Sequence, residues 1–265
     1  MDAHGTLIVA RMQLNEVGYR YKTHQYYTRS ILMDFLIRFA GDLNMIRYLH
    51  SNGCSWSSQT TCVAAKYGQF ELLQYLYDNG CPKYQGTIAQ MACFSGRVEI
   101  LKYVIEKGAL VHKSLCKTAV SVKALECFRY LHEIGSYWDA DVIRSALQFN
   151  SHECLKYAID HGCPRDESSI HMAINCGNLL VLKQLDLDFD YHSMDSNNIL
   201  CLAARSGSVA CLKYLIEEKR VLVERGNSLV RLAQMYGHQE CIAYLQQLPS
   251  ITEDIQHDLN YQTNT

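Results

Sequence analysis

Proline is scarce in this sequence, no sign of charge prevails, and long apolar runs are missing. Three prolines are spread over 265 residues, so no proline-rich linker divides the chain. The 25 basic and 27 acidic side chains leave a formal net charge of −2, which gives no overall attraction to nucleic acid or to a membrane. No segment approaches the roughly 18 apolar residues of a membrane span. Hydrophobic residues still make up 48% of the chain, enough to bury a sizeable core.

Sequence motifs for catalysis are also missing. There is no glycine-rich phosphate loop, no HExxH, no GxSxG and no paired-carboxylate motif. We therefore expect no catalytic residues, no cofactor and no resident metal, and we predict that the protein is not an enzyme.

Cysteine, in contrast, is abundant, with twelve residues. In a small secreted protein this number would predict a disulfide framework. The opening stretch MDAHGTLIVARMQ, however, has no basic start and too short an apolar run for a signal peptide. We therefore predict a reducing compartment, the cytoplasm, in which the thiols stay free.

A unit of 27 to 30 residues recurs eight times along the chain. Its reference position, which we call the turn residue, is usually glycine. An alanine stands four residues before it in seven copies, and a tyrosine stands seven residues after it in seven copies. The fifth residue after it is bulky and apolar in all eight copies. The turn residues are Gly41, Gly68, Gly96, Lys123, Asn150, Gly177, Gly207 and Gly237.

Apolar residues within one unit follow helical spacing. Phe70, Leu73, Leu76 and Tyr77 form one stripe, which predicts a helix after the turn that ends near Gly80. A shorter helix, centred on the alanine, precedes the turn. Neither helix can bury its apolar face alone, so the units must stack. The sequence predicts an all-α fold of about eight stacked helix–turn–helix units.

This organisation resembles the ankyrin repeat over about residues 30–248. The segment GRVEILKYVIEKGA at 96–109 fits the second half of the family motif almost throughout, whereas the first half survives only in part, as in Thr61 and Ala64. Family repeats usually run to 33 residues. The shorter period here resembles the ankyrin proteins of giant DNA viruses and their amoebal hosts, which implies host-cell cytoplasm for a viral protein. It also implies shortened β-hairpin loops.

The resemblance implies an α-solenoid that acts as a non-enzymatic scaffold for protein–protein interaction. Residues 30–248 form the repeat domain, residues 1–29 an N-terminal segment or cap, and residues 249–265 a polar tail. We expect a monomer that binds an unidentified protein, and neither nucleic acid nor membrane. Two alternatives stay open: a substrate adaptor for a ubiquitin ligase, acting through residues 1–29, and a cysteine-based metal or redox protein.

The cysteines fall into columns set by the repeat. Cys54, Cys81 and Cys163 follow the glycine that ends a unit, and a second column contains Cys127 and Cys154. Stacked helices lie about 10 Å apart, whereas a disulfide needs Cα atoms within about 7 Å and zinc needs sulfurs about 4 Å apart. We therefore predict buried structural thiols, and leave open whether cysteines of different columns meet.

The two positions before each turn residue are the candidate binding site, because they line the concave face in ankyrin-like stacks. Aromatic residues, methionine and arginine, which are enriched in the cores of protein interfaces, occur there repeatedly. The candidate partner-binding residues are Lys66, Tyr67, Phe94, Phe149, Arg205, Met235 and Tyr236.

Two further columns have both a functional and a structural interpretation. A basic column includes Lys102 and Arg129. Its functional interpretation is a positive groove for a partner or nucleic acid. Its structural interpretation is a solvated helix face on which glutamates three residues earlier pair with the basic side chains. The tyrosine column would form a stacking platform for bases or a half-buried layer between units. We favour the structural interpretation of both.

Overall fold

The computed structural model describes Ile37 and residues 43–57, 59–185, 191, 196–223, 226–249 and 251. This part of the chain contains fifteen α-helices, one π-helix and no strand. The predicted all-α class is confirmed. Residues 1–29 and almost all of 249–265 lie outside the described part, so both predicted terminal segments, and the ubiquitin-ligase hypothesis that depends on 1–29, stay predictions.

The chain divides into two compact units, which we call the N-terminal unit (1–137) and the C-terminal unit (138–265). The helices of the N-terminal unit are α1 (Leu43–Ser51), α2 (Thr60–Lys66), α3 (Phe70–Asp78), α4 (Gln85–Ser95), α5 (Val98–Glu106), α6 (Leu115–Ser121) and α7 (Leu125–Glu133). Those of the C-terminal unit are α8 (Ala140–Gln148), α9 (His152–Asp160), α10 (Glu167–Asn175), α11 (Leu179–Leu185), α12 (Ser196–Ser206), α13 (Val209–Lys213), a π-helix (Tyr214–Glu218), α14 (Gly226–Met235) and α15 (Gln239–Gln246).

The helices pair and stack as the repeat predicts. In the N-terminal unit α2 packs against its pair-mate α3 and against α4, and α4 packs against α5 and α6. The same scheme joins α8, α10, α12 and α14 in the C-terminal unit. The described part thus holds seven complete pairs, and α1 is the second helix of the first repeat.

Every described turn residue has the left-handed backbone conformation. The φ angle is +74° at Gly68 and +69° at Gly96, and it is also positive at two residues that are not glycine, Lys123 (+60°) and Asn150 (+51°). A left-handed residue ends a helix and reverses the chain. The repeat geometry therefore overrides the usual preference for glycine at two of these turns.

The core consists of three buried columns that run through each unit. All seven alanines four residues before a turn are buried, which lets neighbouring first helices pack closely. The fourth residue after each turn is buried in all eight repeats, and the fifth in seven, Ile242 of α15 being half-buried. Of the predicted stripe of the second helix, Leu73, Leu76 and Tyr77 are buried, whereas Phe70 is half-buried and Leu72, which the prediction left out, is buried.

The Gly-Cys segments close the second helices. Gly80 has a φ of +71°, and the Cys81 amide donates to the Leu76 carbonyl at 3.0 Å. The Cys81 side chain is buried, and its Sγ donates to the Ser57 carbonyl of the preceding loop at 3.8 Å. Cys163 repeats this contact with the Asp139 carbonyl at 3.4 Å. These thiols therefore terminate a helix and connect it to the loop before it.

Candidate functional site

All seven predicted partner-binding residues are exposed. They lie at the carboxyl ends of the first helices, immediately before the turn residues, and we call these the turn-side positions. Large side chains are exposed there although each first helix buries its alanine only two residues earlier. The repeat thus presents these side chains to solvent on a backbone fixed by the buried columns.

In the N-terminal unit three of the predicted residues lie together. Lys66 ends α2, Tyr67 follows it, and Phe94 is the equivalent of Lys66 in the next repeat. The Lys66 Nζ lies 5.9 Å from the centre of the Phe94 ring, which is within the range of a cation–π contact. The two helices therefore form one turn-side surface, with a cation on an aromatic ring.

Arg97 belongs to the same surface and was missed by the sequence prediction. It follows the turn residue Gly96, and its Nη1 donates to the carbonyl of Gly68 at 2.9 Å. A Cβ added to Gly68 would meet the Arg97 Nε at 2.9 Å. The guanidinium thus packs on the preceding turn because Gly68 has no side chain. The signal in the sequence was a long basic side chain, Arg97, directly after one turn residue, together with a glycine, Gly68, at the turn of the preceding repeat.

The C-terminal unit presents a second turn-side surface between α10, α12 and α14. Arg205 Nη2 donates to Asn175 Oδ1 at 3.0 Å, and both residues occupy the same position in successive repeats. Met235, which ends α14, is 80% exposed. The ring of Tyr236 is nearly parallel to that of His238, with centroids 6.2 Å apart. Three predicted residues therefore come from neighbouring helix ends.

His238 packs on the glycine of the preceding turn as Arg97 does in the other unit, although it binds a different carbonyl. Its Nε2 donates to the Arg205 carbonyl at 3.0 Å, and a Cβ added to Gly207 would collide with its ring. A side chain after one turn therefore covers the glycine of the turn before it in both units. Phe149, the remaining predicted residue, follows the carboxyl end of α8 as its cap residue.

The loops between pairs expose a second apolar row that the sequence prediction also missed. Tyr84, Leu110 and Tyr137 of the N-terminal unit are each more than half exposed. These loops are short and contain no strand, and the Leu110 amide donates to the Gln85 carbonyl of the preceding repeat at 3.1 Å. This loop-side row is a competing surface for a partner.

The basic column is explained by the tyrosine column. Arg47 lies over the ring of Tyr75 at 5.3 Å, and Lys102 over that of Tyr130 at 5.2 Å. Lys183 and Lys213 make the same contact with the next repeat in the C-terminal unit. The predicted pairing with glutamates three residues earlier occurs between Arg129 and Glu126, at 3.7 Å. Four of the other cations cover tyrosine rings instead, and one of these, Lys183, also pairs with Glu218 at 3.0 Å.

The tyrosines themselves behave as a layer between repeats. Four of the seven are half-buried, Tyr214 and Tyr244 are buried, and Tyr48 is exposed. Tyr244 donates its hydroxyl to Glu217 of the preceding repeat at 2.9 Å. Because most of the rings are covered by neighbouring repeats, the structural interpretation of this column describes them better than a platform for bases.

All twelve cysteines are free thiols, and nine of them are buried. Burial raises the pKa of the thiols of Cys93, Cys154, Cys211 and Cys241. For Cys93, negative charge on Cys127 and Cys116 raises the pKa further. Within the described residues no group of three or more His, Cys, Asp or Glu side chains could hold a metal ion.

No helix in the described part of the chain combines the length and apolar content needed to cross a membrane.

A family model described as ankyrin repeats (3 copies) matches residues 32–114 and 170–257. Among solved structures, the ankyrin repeat domain of human ASB11 aligns with a TM-score of 0.56 and 20% sequence identity, over 71% of this chain and 98% of that chain. No curated protein sequence matches the chain.

The structural likeness supports the fold, and the family model covers more than half of the sequence. The helix pairs, the left-handed turns and the buried alanine column agree with both. The chain belongs to the ankyrin repeat family.

Proposed function

We propose that this protein is a non-enzymatic scaffold that binds a protein partner through its turn-side surfaces. The observation that supports this most is the exposure of Tyr67, Phe94, Met235 and Tyr236 at rigid helix ends. Single exposed apolar side chains are common, but here they recur at the two positions before the turn residue. Aromatic and methionine side chains held on a preformed surface bind at low entropic cost.

A protein with this function belongs to a compartment in which its thiols remain reduced. In a secretory compartment a chain with twelve free cysteines would be open to oxidation and disulfide exchange while it folds, before nine of the thiols are buried. We propose the cytoplasm, which for a viral protein would be that of the host cell. We also propose that the chain acts as a monomer.

The experiment is affinity purification with the full-length chain as bait. Two variants test the proposal, Tyr67→Ala with Phe94→Ala, and Met235→Ala with Tyr236→Ala. The matched control is Tyr84→Ala with Tyr137→Ala, which removes two aromatic rings of the loop-side row that are more exposed than Tyr67 and Phe94. Loss of the captured partners with either turn-side variant, and their retention with the control, is the expected result. Loss with the control alone would assign binding to the loops.

A further inference from the structure

The boundary between the two units separates the charges of the chain. The N-terminal unit has 15 basic and 10 acidic side chains, a net charge of +5, whereas the C-terminal unit has 10 basic and 17 acidic, a net charge of −7. The overall value of −2 conceals this difference. Charge of one sign on a unit steers binding partners of the opposite sign, so the N-terminal unit favours an acidic partner.

The turn-side surface of the N-terminal unit concentrates suitable binding groups. Within the described part of the chain no carboxylate lies within 4 Å of the Lys66 Nζ or the Arg97 guanidinium. Glu71 and Glu99, the nearest acidic residues in sequence, are exposed in the first turns of the second helices. Both cations can therefore accept a carboxylate from outside without breaking an existing ion pair.

Arg97 is already held in place before a ligand arrives. Its Nη1 is bound to the Gly68 carbonyl, and its side chain rests on the glycine. A guanidinium has five N–H donors, so donors remain for a carboxylate. Because the side chain is ordered by this contact, binding loses less conformational entropy than binding to a freely rotating arginine.

The aromatic groups of the same surface need an apolar counterpart. Phe94 is 40% exposed beneath Lys66, and Tyr67 is exposed beside it. A ligand that contributed charge alone would leave these rings in water. The matching ligand is a peptide segment in which acidic side chains alternate with apolar or aromatic ones.

We propose that this surface binds an acidic segment of the partner protein, whose carboxylates meet Lys66 and Arg97 and whose apolar side chains pack on Phe94 and Tyr67. The proposal rests on the proposed scaffold function and specifies the chemistry of the partner. Single-stranded nucleic acid also combines negative charge with stacking groups. The six carboxylates among residues 43–137, however, keep the unit far from the strongly basic character of nucleic-acid-binding domains.

The test is selection from a displayed library of random peptides on the immobilised full-length chain. The wild type is expected to enrich peptides rich in Asp and Glu with interspersed aromatic or aliphatic residues, and their binding should weaken as salt rises. The Lys66→Glu, Arg97→Glu double variant should bind the selected peptides about tenfold or more weakly. The Lys66→Glu single variant, which leaves the Gly68 contact intact, should show a smaller loss in the same direction.

The matched control is Lys83→Glu with Lys107→Glu, which changes the charge of the same unit by the same amount at the loop side. It should retain most of the binding. Equal losses in both double variants, enrichment of peptides without an acidic excess, or no enrichment would overturn the proposal. The proposal would also be overturned if the Lys66→Glu, Arg97→Glu variant lost binding to a single-stranded RNA oligonucleotide and not to the peptides. The same holds if the wild type sedimented as a dimer and this variant did not. Partners captured in the affinity purification would still support the scaffold function in each case.

Discussion

Single residues at the turns show how the repeat dictates backbone conformation. Lys123 and Asn150 occupy turn positions with positive φ, where the Cβ of an L-residue is crowded against the backbone. Asparagine tolerates this conformation better than lysine because its side chain can hydrogen-bond locally. The buried columns on both sides of each turn hold the chain in this geometry.

Replacing Lys123 with glycine should therefore stabilise the protein. We expect the free energy of unfolding to rise by about 0.5–1 kcal/mol. Glycine relieves the strain of the left-handed conformation, and this gain exceeds the loss that comes from the greater entropy of the unfolded chain. Asn150→Gly should change it by less. Lys117→Gly, inside α6, is the control and should lower it by about 1 kcal/mol. Urea denaturation measures all three, and a destabilising Lys123→Gly would contradict the account.

The thiols define a second property at the scale of the residue. Cys176 is the exposed cysteine, and its pKa is raised by partial desolvation. A thiol must lose its proton to react, so the buried thiols with raised pKa values should be unreactive. The buried thiols also link stability to pH, because their pKa values are higher in the folded than in the unfolded chain. Their contribution to the free energy of unfolding is complete below the unfolded pKa and is lost as the pH rises through the folded pKa.

A thiol titration of the native chain at mildly alkaline pH should find its fastest site at Cys176, ahead of the half-buried Cys54 and Cys201. Cys176→Ser should remove this fast phase, and raising the pH should accelerate it. Unfolding without reductant should expose all twelve thiols. Cys81→Ser, at a buried position, is the control and should leave the fast phase unchanged. Missing thiols or stoichiometric zinc in the purified protein would support the metal or redox alternative.

At the scale of the element, one irregular helix follows from a single extra residue. In most repeats the helix-ending left-handed glycine lies twelve residues after the turn residue, as Gly80 does after Gly68. After Gly207 the corresponding residue is Arg220, one position later, with a φ of +55°. The Val221 amide then donates to the Leu215 carbonyl six residues back. The π-helix 214–218 accommodates the insertion without disturbing the buried columns.

Deleting Glu218 should convert this segment to an ordinary α-helix. The deletion restores the usual spacing and leaves Glu217 where four other repeats have an acidic residue. It removes an exposed ion pair with Lys183, so the free energy of unfolding should fall by less than about 1 kcal/mol. The control, deletion of Lys107 from a regular repeat, should cost roughly 2 kcal/mol or more. Equal losses would disprove the insertion account.

A second element-scale connection joins consecutive helix pairs of the C-terminal unit. Asp166 caps α10 by accepting hydrogen bonds from the amide and hydroxyl of Ser169, and it also pairs with Arg144 of α8. Burial alone would raise the pKa of Asp166, but the hydrogen bonds from Arg144 and Ser169 lower it below its ordinary value. One carboxylate therefore caps the amino end of α10 and ties this helix to α8.

Asp166→Ala should lower the free energy of unfolding by about 1–2 kcal/mol at neutral pH. Because the folded pKa is lowered, the contribution is present above the unfolded pKa and is lost as pH falls through the folded value. The difference between wild type and variant should therefore shrink in acid. Asp160→Ala, an exposed residue at the end of α9, is the control. Denaturation curves at neutral and acid pH measure both, and a difference independent of pH would contradict this.

At the scale of the whole molecule, the sequence predicted the architecture better than the surface. The 27- to 30-residue period, the alanine column and the bulky fifth position were enough to predict the helix pairs. Both columns are buried in nearly every repeat, so the signal recurs along the chain. Arg97 and His238 were missed because their role depends on a glycine one repeat earlier, a contact that no local pattern reveals. The loop-side residues Leu110 and Tyr137 were missed because short loops leave few buried positions to mark a register.

The central claim is that the turn-side surfaces bind the partner, and amide hydrogen exchange of the full-length chain with and without its captured partner tests it most directly. The account predicts slower exchange in peptides that contain residues 66–69 and 94–97, or 205–208 and 235–238, on binding. Peptides from the loops around 81–84 and 109–112 should be unchanged. Protection confined to those loops, with the turn segments unaffected, would contradict the account.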